Sequence, residues 1–274
     1  MLKEPFQLIN EQILLLNSWN NSKLITGFTT KNGGLSESPF SSFNLGLHVN
    51  DDAQTVATNR NKLSELIDFP TSRWACSDQV HENKVVKVTN KMAGSGVYDY
   101  QNSIKSTDGV YTTETNILLA LCFADCVPLY FYEPKKEIVG IAHAGWKGTV
   151  KNIVGEMVHK WTKDENVDPA NIKAAIGPSI GPCCYVVDDH VIHFVNDVLQ
   201  GEHKPYSKVS AGQYALDLKQ LNLQLMVASG ILKENIDVSH YCTSCSESLF
   251  FSHRRDKGKT GRMVSFIGKK ESIS

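Results

Sequence analysis

Two strongly apolar, strand-like runs in the middle of the chain constrain its fold most. They are ILLALCFA at residues 117–124 and EIVGIAHA at residues 137–144. Continuous apolar runs of this length, rich in Ile, Leu and Val, are typical of buried strands. A helix is predicted directly after them, in TVKNIVGEMVHKWTK at residues 149–163, with Thr149 as its N-cap. We therefore expect a buried sheet with a helix packed against it at the centre of the fold.

Strand-like and helix-like segments mix along the rest of the chain without strict βαβ alternation. This order favours an α+β fold, a single layered domain with mixed β-sheets flanked by helices, over a Rossmann fold or a barrel. No repeat or linker divides the 274 residues. Strands are predicted in ITGFTT (25–30), SRWACS (72–77), NKVVKVT (83–89), IDVSHY (236–241) and GRMVSFIG (261–268), and helices at 53–67, at 188–200 with Asp188 as cap and at 215–230 ending at Gly230.

Composition and charge narrow the class of protein. The formal net charge of −1 gives no reason to expect a nucleic-acid or membrane surface. No window approaches the ~18 apolar residues of a membrane helix, and the N-terminal segment lacks the features of a signal peptide. Seven cysteines are an odd count in such a chain, so a disulfide framework is not expected. We predict a cytoplasmic protein whose thiols serve packing, metal binding or catalysis.

Three residues that can bind a metal stand at the ends of strand-like runs, namely His81, Cys126 and His143. Two imidazoles and a thiolate suit tetrahedral zinc and leave the fourth position for water or substrate. Asp125 and Gln79, beside these ligands, are candidate catalytic groups for acid–base chemistry. The three residues match no local metal motif, so spacing alone leaves a packing role for the cysteine and a hydrogen-bonded core histidine open.

The same atoms support a second chemistry. Cys126 as a nucleophile and His143 as its base would make a cysteine hydrolase or deamidase. That arrangement does not need His81, so the role of His81 discriminates between the two hypotheses.

The remaining cysteines lie in two short motifs. Cys183 and Cys184 belong to the Gly/Pro-rich segment 176–189, which is either an anion-binding loop or a rigid turn. Adjacent cysteines are poor joint ligands for one metal, so a packing role is predicted for them. Cys242 and Cys245 form one Cys-x-x-Cys, and a zinc ribbon is rejected because it needs a second pair.

Basic residues suggest an anion site. The segment 250–262 is the densest basic cluster and contains Arg254 and Arg255, while Arg60 lies in a predicted helix. Each is either a solvated charge or part of a clamp for an oxyanion such as phosphate.

The chain resembles a known family through segments that occur in the expected order. The segments are NLGLHVNDDAQTVATNR, DQVHENKVV, DGVYTT, ADCVPLYF, AHAGWKGT, IGPSIGPCCYVV, CTSCSESLFFSHRRD and TGR. It resembles the laccase-domain proteins, long labelled multicopper polyphenol oxidoreductases and later assigned as purine nucleoside phosphorylases. The likeness runs from about residue 24 to 267, which makes residues 1–23 an N-terminal extension and 268–274 a tail of a domain spanning 1–274.

The resemblance implies phosphorolysis of adenosine, inosine and methylthioadenosine, with adenosine deaminase activity. It also implies zinc bound by His81, Cys126 and His143. The older label, multicopper polyphenol oxidoreductase, implies copper binding. Phosphate would be bound by Arg60, Lys147, Arg254 and Arg255. Lys147 stands where these proteins often carry Arg, and His253 where Tyr is common.

Other functions remain as alternatives. A copper-dependent polyphenol oxidase needs clustered histidine pairs, and the sequence has no His-x-His. A non-enzymatic binding or cell-division accessory protein fits everything except the set of ligands. The expected partners are purine nucleosides and phosphate, with no nucleic acid and no membrane, and the expected assembly is a monomer or homodimer.

Overall fold

The two apolar runs form strands of two different sheets in the computed structural model, which describes residues 3–19, 23–199, 201 and 203–271. The strands are β1 Phe6–Leu8, β2 Ile13–Leu16, β3 Leu24–Thr29, β4 Trp74–Cys76, β5 Val85–Lys87, β6 Gly109–Thr112, β7 Leu118–Phe123, β8 Val127–Glu133, β9 Ile138–Ala144, β10 Lys173–Ile176, β11 Val186–Asp188, β12 Tyr206–Ser210, β13 Gln213–Leu216, β14 Ile236–Val238 and β15 Met263–Lys269. The α-helices are α1 Ala53–Leu66, α2 Trp146–Val150, α3 Ile153–Glu165, α4 Asp189–Val198 and α5 Leu218–Ala228.

The strands build two six-stranded sheets and one small sheet. The first has the order β1-β2-β3-β15-β7-β4, the second β14-β10-β8-β9-β6-β5, and the small one β11-β13-β12. Both large sheets are mixed, because β4 runs parallel to β7, and β5 and β14 run parallel to β6 and β10 among otherwise antiparallel pairs. The chain crosses from the first sheet to the second between β7 and β8.

Apolar side chains pack the elements into layers. The two large sheets share a core to which Phe28 and Leu121 contribute from one sheet and Tyr130 and Ile141 from the other. Helix α1 covers the outer face of the first sheet, and α3, α4 and α5 cover the outer face of the second. Burial of apolar area of this kind contributes roughly 25 cal/mol per Å². The predicted α+β class, with mixed sheets flanked by helices, is confirmed.

Several predicted helix boundaries are confirmed. Helix α4 is capped by Asp188, whose carboxylate accepts the backbone N–H of Val191. Helix α5 ends one residue before Ser229, and Gly230 follows at φ +93°, a conformation that favours glycine.

The predicted N-cap at Thr149 is wrong. A short helix, α2, starts directly after β9, and Thr149 is buried inside it, where its hydroxyl accepts the Asn222 side-chain amide. The helical conformation is interrupted at Asn152, which adopts φ +57° and whose side chain caps α3 by accepting the N–H of Gly155. Asn tolerates the left-handed conformation and is a strong N-cap, so it divides one predicted helix into two.

The segments at the chain ends contribute strands. β1 and β2 lie within the predicted extension 1–23 and join the first sheet, and β15 reaches two residues into the predicted tail 268–274. Residues 1, 2, 20–22 and 272–274 of these segments lie outside the described residues. The single-domain organisation stays a prediction. Among the described residues, no helix has the length and apolarity needed to span a lipid bilayer.

Candidate active site

Cys126 and His143 meet because β8 and β9 form an antiparallel pair. Pro128 is opposite His143, and Val127 is opposite Ala144, so the residue before β8 lies next to the end of β9. Cys126 is half-buried at the crossing between the two large sheets, and His143 is only 4% exposed.

His81 reaches the same place from the loop between β4 and β5. β5 pairs with β6, and β6 pairs with β9, so this loop lies at the sheet edge where β9 ends. The ligand atoms of His81, Cys126 and His143 all lie within 4.8 Å of one another, and the two imidazole rings have centroids 4.8 Å apart at 78°. The structure thus brings the three sequence-predicted ligands together.

Asp108, which the sequence did not single out, organises this cluster. Its carboxylate lies 2.9 Å from Nδ1 of His143 and accepts the backbone N–H groups of Val80, His81 and Glu82 at 3.1, 2.9 and 2.9 Å. The side chain is fully buried. With Nδ1–H donated to Asp108, the Nε2 atom of His143 is left as the metal-binding nitrogen.

Gly145 gives the ligands the space they need. A Cβ atom at this position would lie 3.0 Å from the Cys126 sulfur and 3.1 Å from Cδ2 of His81. Both contacts are tighter than side chains normally accept, so any other residue would require the Cys126 and His81 side chains to shift by a few tenths of an ångström.

The cysteine and the buried histidine shift each other's ionisation. Burial raises the pKa of Cys126, but the charge of His143 and the hydrogen bonds from His143 and His81 outweigh it and lower the pKa to about 6. Burial lowers the pKa of His143, whereas the Cys126 thiolate and Asp108 raise it to about 9. The geometry therefore favours a thiolate at Cys126, which is the form that binds metals.

The donor set fits a metal ion. Two imidazoles and one thiolate are ligands that zinc accepts in tetrahedral geometry, and three protein ligands leave one position for water or substrate. The carboxylate behind His143 is the outer partner that metal-binding histidines usually have. Copper also accepts these ligands, so the donor chemistry alone leaves the metal unassigned.

The cluster lies in a cavity of about 560 Å³. Gln79 and Asp125, the predicted catalytic groups, both line it. So do three of the predicted phosphate-binding residues, Arg60, Lys147 and Arg254. Arg255 is not among the described residues that line the cavity: its guanidinium bonds Asp256 and the carbonyls of Thr243, Ser244 and Phe250.

Two of the lining residues already have backbone partners. The guanidinium of Arg60 is buried and donates to the carbonyls of Leu45, Gly96 and Val97 at 2.7–2.9 Å. The Gln79 side chain pairs with the backbone of Cys122 through two hydrogen bonds of 2.8 Å. Both side chains are held in one orientation on the cavity wall.

Asp125 is held by three donors. Its carboxylate accepts the hydroxyls of Thr243 and Ser252 at 2.7 and 3.0 Å and the backbone N–H of Arg254 at 2.7 Å. The backbone at Asp125 adopts φ +85°, which turns the chain towards Cys126. Asp125 thus fixes the loop that carries Arg254 to the loop that carries a ligand.

Lys147 and Arg254 are the exposed predicted cations at the cavity. Lys147 projects from α2 and lies 5.8 Å from the Trp146 ring, and Arg254 stacks 4.9 Å from the Tyr185 ring. Exposed cations on short loops and helix starts can reach an incoming anion with little rearrangement.

The cavity holds two further groups, Arg262, which belongs to the basic cluster 250–262 noted in the sequence, and His48, which sequence reasoning missed as a site residue. Burial and the charges of Arg262 and Arg60 lower the pKa of His48 to about 4, so its imidazole is neutral at neutral pH. The segment NLGLHVNDD carried the signal, because His48 follows an apolar run directly, but no local pattern connects it with Arg262.

The fold and the cavity define a class of protein, an α+β chain with two histidines and a cysteine gathered in a cavity edged by basic side chains. The family model described as multi-copper polyphenol oxidoreductase laccase matches residues 25–270. The chain belongs to this family.

Curated relatives and solved structures are similar to this chain over nearly its whole length. Purine nucleoside phosphorylase YlmD of Bacillus subtilis is 49% identical over 273 residues, 98% of each chain. The protein of the same name from Geobacillus stearothermophilus is 51% identical over 248 residues, 90% of each chain. The crystal structure of YlmD from Geobacillus stearothermophilus matches with a TM-score of 0.97 at 48% identity, and that of hypothetical protein YfiH from Bacillus licheniformis with 0.96 at 52%. Both cover 98% of this chain and are themselves covered completely.

Proposed function

We propose that this chain is a zinc-dependent purine nucleoside phosphorylase that acts on adenosine, inosine and methylthioadenosine and also deaminates adenosine. The observation that carries the proposal is the gathering of His81, Cys126 and His143 in a cavity edged by cationic side chains. The names of the two YlmD relatives, at 49% and 51% identity, support the reaction class. A volume of about 560 Å³ lies within the range of small-molecule sites.

In phosphorolysis, phosphate attacks the anomeric carbon of the ribose while the purine leaves through an oxocarbenium-like transition state. Lys147 and Arg254 are our candidates for binding the phosphate, since both are exposed at the cavity. Arg60, fixed by backbone carbonyls, adds positive charge to the wall without moving. Such fixed charges stabilise a transition state without the cost of reorganisation.

A zinc ion bound by His81, Cys126 and His143 would supply Lewis-acid charge beside the substrate. Asp108 holds the proton on Nδ1 of His143 and so keeps Nε2 available. For deamination, we propose that the Asp125 carboxylate takes a proton from the water that attacks purine C6 and passes it to the amino group, which leaves as ammonia. The Gln79 amide would orient the purine.

Incubation with inosine and phosphate tests the proposal directly. Hypoxanthine and ribose 1-phosphate should appear in equal amounts, and omission of phosphate should stop the reaction. Formation of neither product by protein that contains about one zinc in the cavity would refute the phosphorylase assignment. Dioxygen uptake with a phenolic substrate by copper-loaded protein would instead favour the oxidase.

Replacing Asp125 by asparagine tests its proposed role in proton transfer. The amide keeps one acceptor for Thr243 or Ser252 but cannot carry a proton, so adenosine deamination should fall by about 10²–10⁴-fold. Deamination rate, metal content and thermal stability should be measured together. Unchanged deamination would exclude the role, and a parallel loss of metal would indicate that Asp125 only positions the loops.

A cysteine hydrolase is the second candidate, and a specific arrangement favours it. Cys126, His143 and Asp108 are ordered as nucleophile, base and orienting carboxylate, and the pKa of Cys126 is lowered to about 6. His81 is neither the nucleophile, the base nor the orienting carboxylate of that arrangement.

His81→Ala separates the two candidates. If the site binds a metal, the variant should lose the cavity ion and at least about 100-fold of phosphorolysis, more than loss of an outer partner costs. Metal analysis and the inosine assay measure both effects. A cysteine hydrolase would still hydrolyse activated ester substrates in the same variant, because the nucleophile Cys126 is retained. That result would favour the second candidate.

The cytoplasmic location and the monomeric or homodimeric state stay predictions.

A further inference from the structure

Four cysteines gather at a second place in the fold. They are Cys183 and Cys184 of the loop after β10, and Cys242 and Cys245 of the loop after β14. Their four sulfur atoms all lie within 4.8 Å of one another. The Cys245 sulfur lies 3.4 Å from that of Cys183 and 3.3 Å from that of Cys184.

Backbone contacts bring the two loops together. Ser179 and Cys242 form a parallel bridge, and the N–H of Thr243 donates to the carbonyl of Ser179 at 3.0 Å. The N–H of Cys184 donates to the carbonyl of Gly181, and the resulting turn directs two successive cysteines towards Cys245. The sequence did not reveal this grouping, because the adjacent pair Cys183 and Cys184 meets the Cys-x-x-Cys pair only in the folded chain.

We propose that these four cysteines bind a structural zinc ion that is independent of the centre at His81, Cys126 and His143. Zinc–sulfur bonds of 2.3 Å in a tetrahedron place the sulfurs about 3.8 Å apart. The observed sulfur–sulfur distances, which run from 3.3 Å to at most 4.8 Å, include that value. Four protein ligands leave no open position, which is the pattern of structural sites.

The surroundings suit a centre with net negative charge. The N–H of Gly181 donates to the Cys242 sulfur at 3.2 Å, which stabilises a thiolate. Lys219, 7% exposed, lines the same small cavity as Cys183 and Cys242 and donates to the carbonyls of Ser239 and Tyr241. A buried ammonium needs opposite charge nearby. Four thiolates around one Zn²⁺ carry a net charge of −2 and supply it, together with Asp217 on the same cavity.

Other fates of the thiols fit less well. In an iron–sulfur cluster the four thiolates are divided between two or four iron atoms, and thiolates on different iron atoms lie farther apart than ligands of one ion. A disulfide would use only two of four sulfurs, yet Cys245 approaches Cys183 and Cys184 equally closely.

The site would stiffen one wall of the active-site cavity. Ile180 and Tyr185, on either side of the first cysteine pair, line that cavity. Thr243, between the second pair, donates to Asp125. Zinc at the four cysteines would therefore connect the loops that hold Tyr185 and Asp125 in place.

Metal counting on the whole chain tests the proposal. Protein expressed with zinc and passed through a weak chelator should contain two zinc ions per chain. Cys184→Ser and Cys245→Ser should each lose one, and Cys126→Ala should lose the other. The serine variants should also melt roughly 5–10 °C lower, since bound zinc contributes to folding free energy.

Cobalt substitution identifies which site is lost. Four-thiolate cobalt gives a far stronger sulfur-to-cobalt absorption than one-thiolate cobalt, so this band should persist in Cys126→Ala and vanish in Cys245→Ser. Cys183 and Cys245 are exposed, so their serine variants leave the core intact. Equal metal content in wild type and Cys245→Ser would overturn the proposal. The detection of iron and sulfide at this site would also overturn the proposal. So would wild-type protein that has no metal at this site and a mass lower by two hydrogen atoms, which indicates a disulfide.

Discussion

Cys126→Ala is expected to empty the cavity of its metal and to slow inosine phosphorolysis by at least about 10³-fold. The variant removes the only thiolate of the three-ligand set and leaves two imidazoles, too few for a stable zinc site. Loss of the ion's charge near the transition state costs several kcal/mol, and each 1.36 kcal/mol is tenfold in rate. Zinc content and steady-state phosphorolysis measure the effect.

The matched control is Cys184→Ser, which alters a cysteine of the other cluster and should keep the cavity zinc. Metal content should be assigned to the two clusters by cobalt absorption, because a simple count does not say which ion was lost. Cys126→Ala that keeps its cavity zinc and its phosphorolysis would remove the basis of the proposed function.

Asp108→Asn is expected to weaken zinc binding by about 10–100-fold and to destabilise the fold by roughly 2–4 kcal/mol. The carboxylate accepts three backbone N–H groups and the His143 ring while fully buried. An amide has one acceptor oxygen, so at least one buried N–H loses its partner. Zinc competition titrations and denaturant unfolding of the metal-free protein measure the two effects separately.

The pH dependence of stability gives the same variant a second readout. Burial raises the pKa of Asp108, but His143 and the backbone N–H groups outweigh it and hold the pKa below its ordinary value. A lowered folded-state pKa stabilises the fold above the unfolded-state pKa, and this contribution is lost as the pH falls through the folded-state pKa. The asparagine variant should therefore lose less stability in acid than wild type.

Asp78→Asn is the control for Asp108→Asn. Asp78 is a carboxylate of the loop between β4 and β5, which also carries His81, and it accepts the Tyr100 hydroxyl. Its replacement should leave zinc affinity within a few-fold of wild type. Equal effects of the two variants would show that Asp108 acts only through its negative charge near the ligands and not through its hydrogen bond to His143.

The fold class could be predicted from the apolar runs. The three candidate ligands could be found because the ends of strand-like runs are local features, and His81, Cys126 and His143 stand at such ends. Asp108 could not be found in this way, because DGVYTT looks like a turn before a strand. Only the register of β6 against β9, with Gly109 opposite Ala142, places its carboxylate behind His143.

The cysteine cluster and the divided helix show two other limits of sequence reasoning. The loop of Cys184 and the loop of Cys242 are joined by the bridge between Ser179 and Cys242, which are 63 positions apart, and no local spacing encodes such a contact. The break at Asn152 depends on a left-handed residue inside a segment with helical periodicity. Hydrophobic periodicity indicates which face of a helix is buried, but it does not indicate where a residue adopts the left-handed conformation and interrupts the helix.

The amides of residues 80–82 form a concave anion nest, and the protein fills this nest with its own Asp108. An incoming phosphate cannot use it. In the proposed phosphorylase, recognition of the phosphate would thereby be left to side-chain charges such as those of Lys147 and Arg254, which are exposed to solvent. Salt screens exposed charges far more than buried backbone dipoles, so the affinity for phosphate becomes a property of the ionic medium.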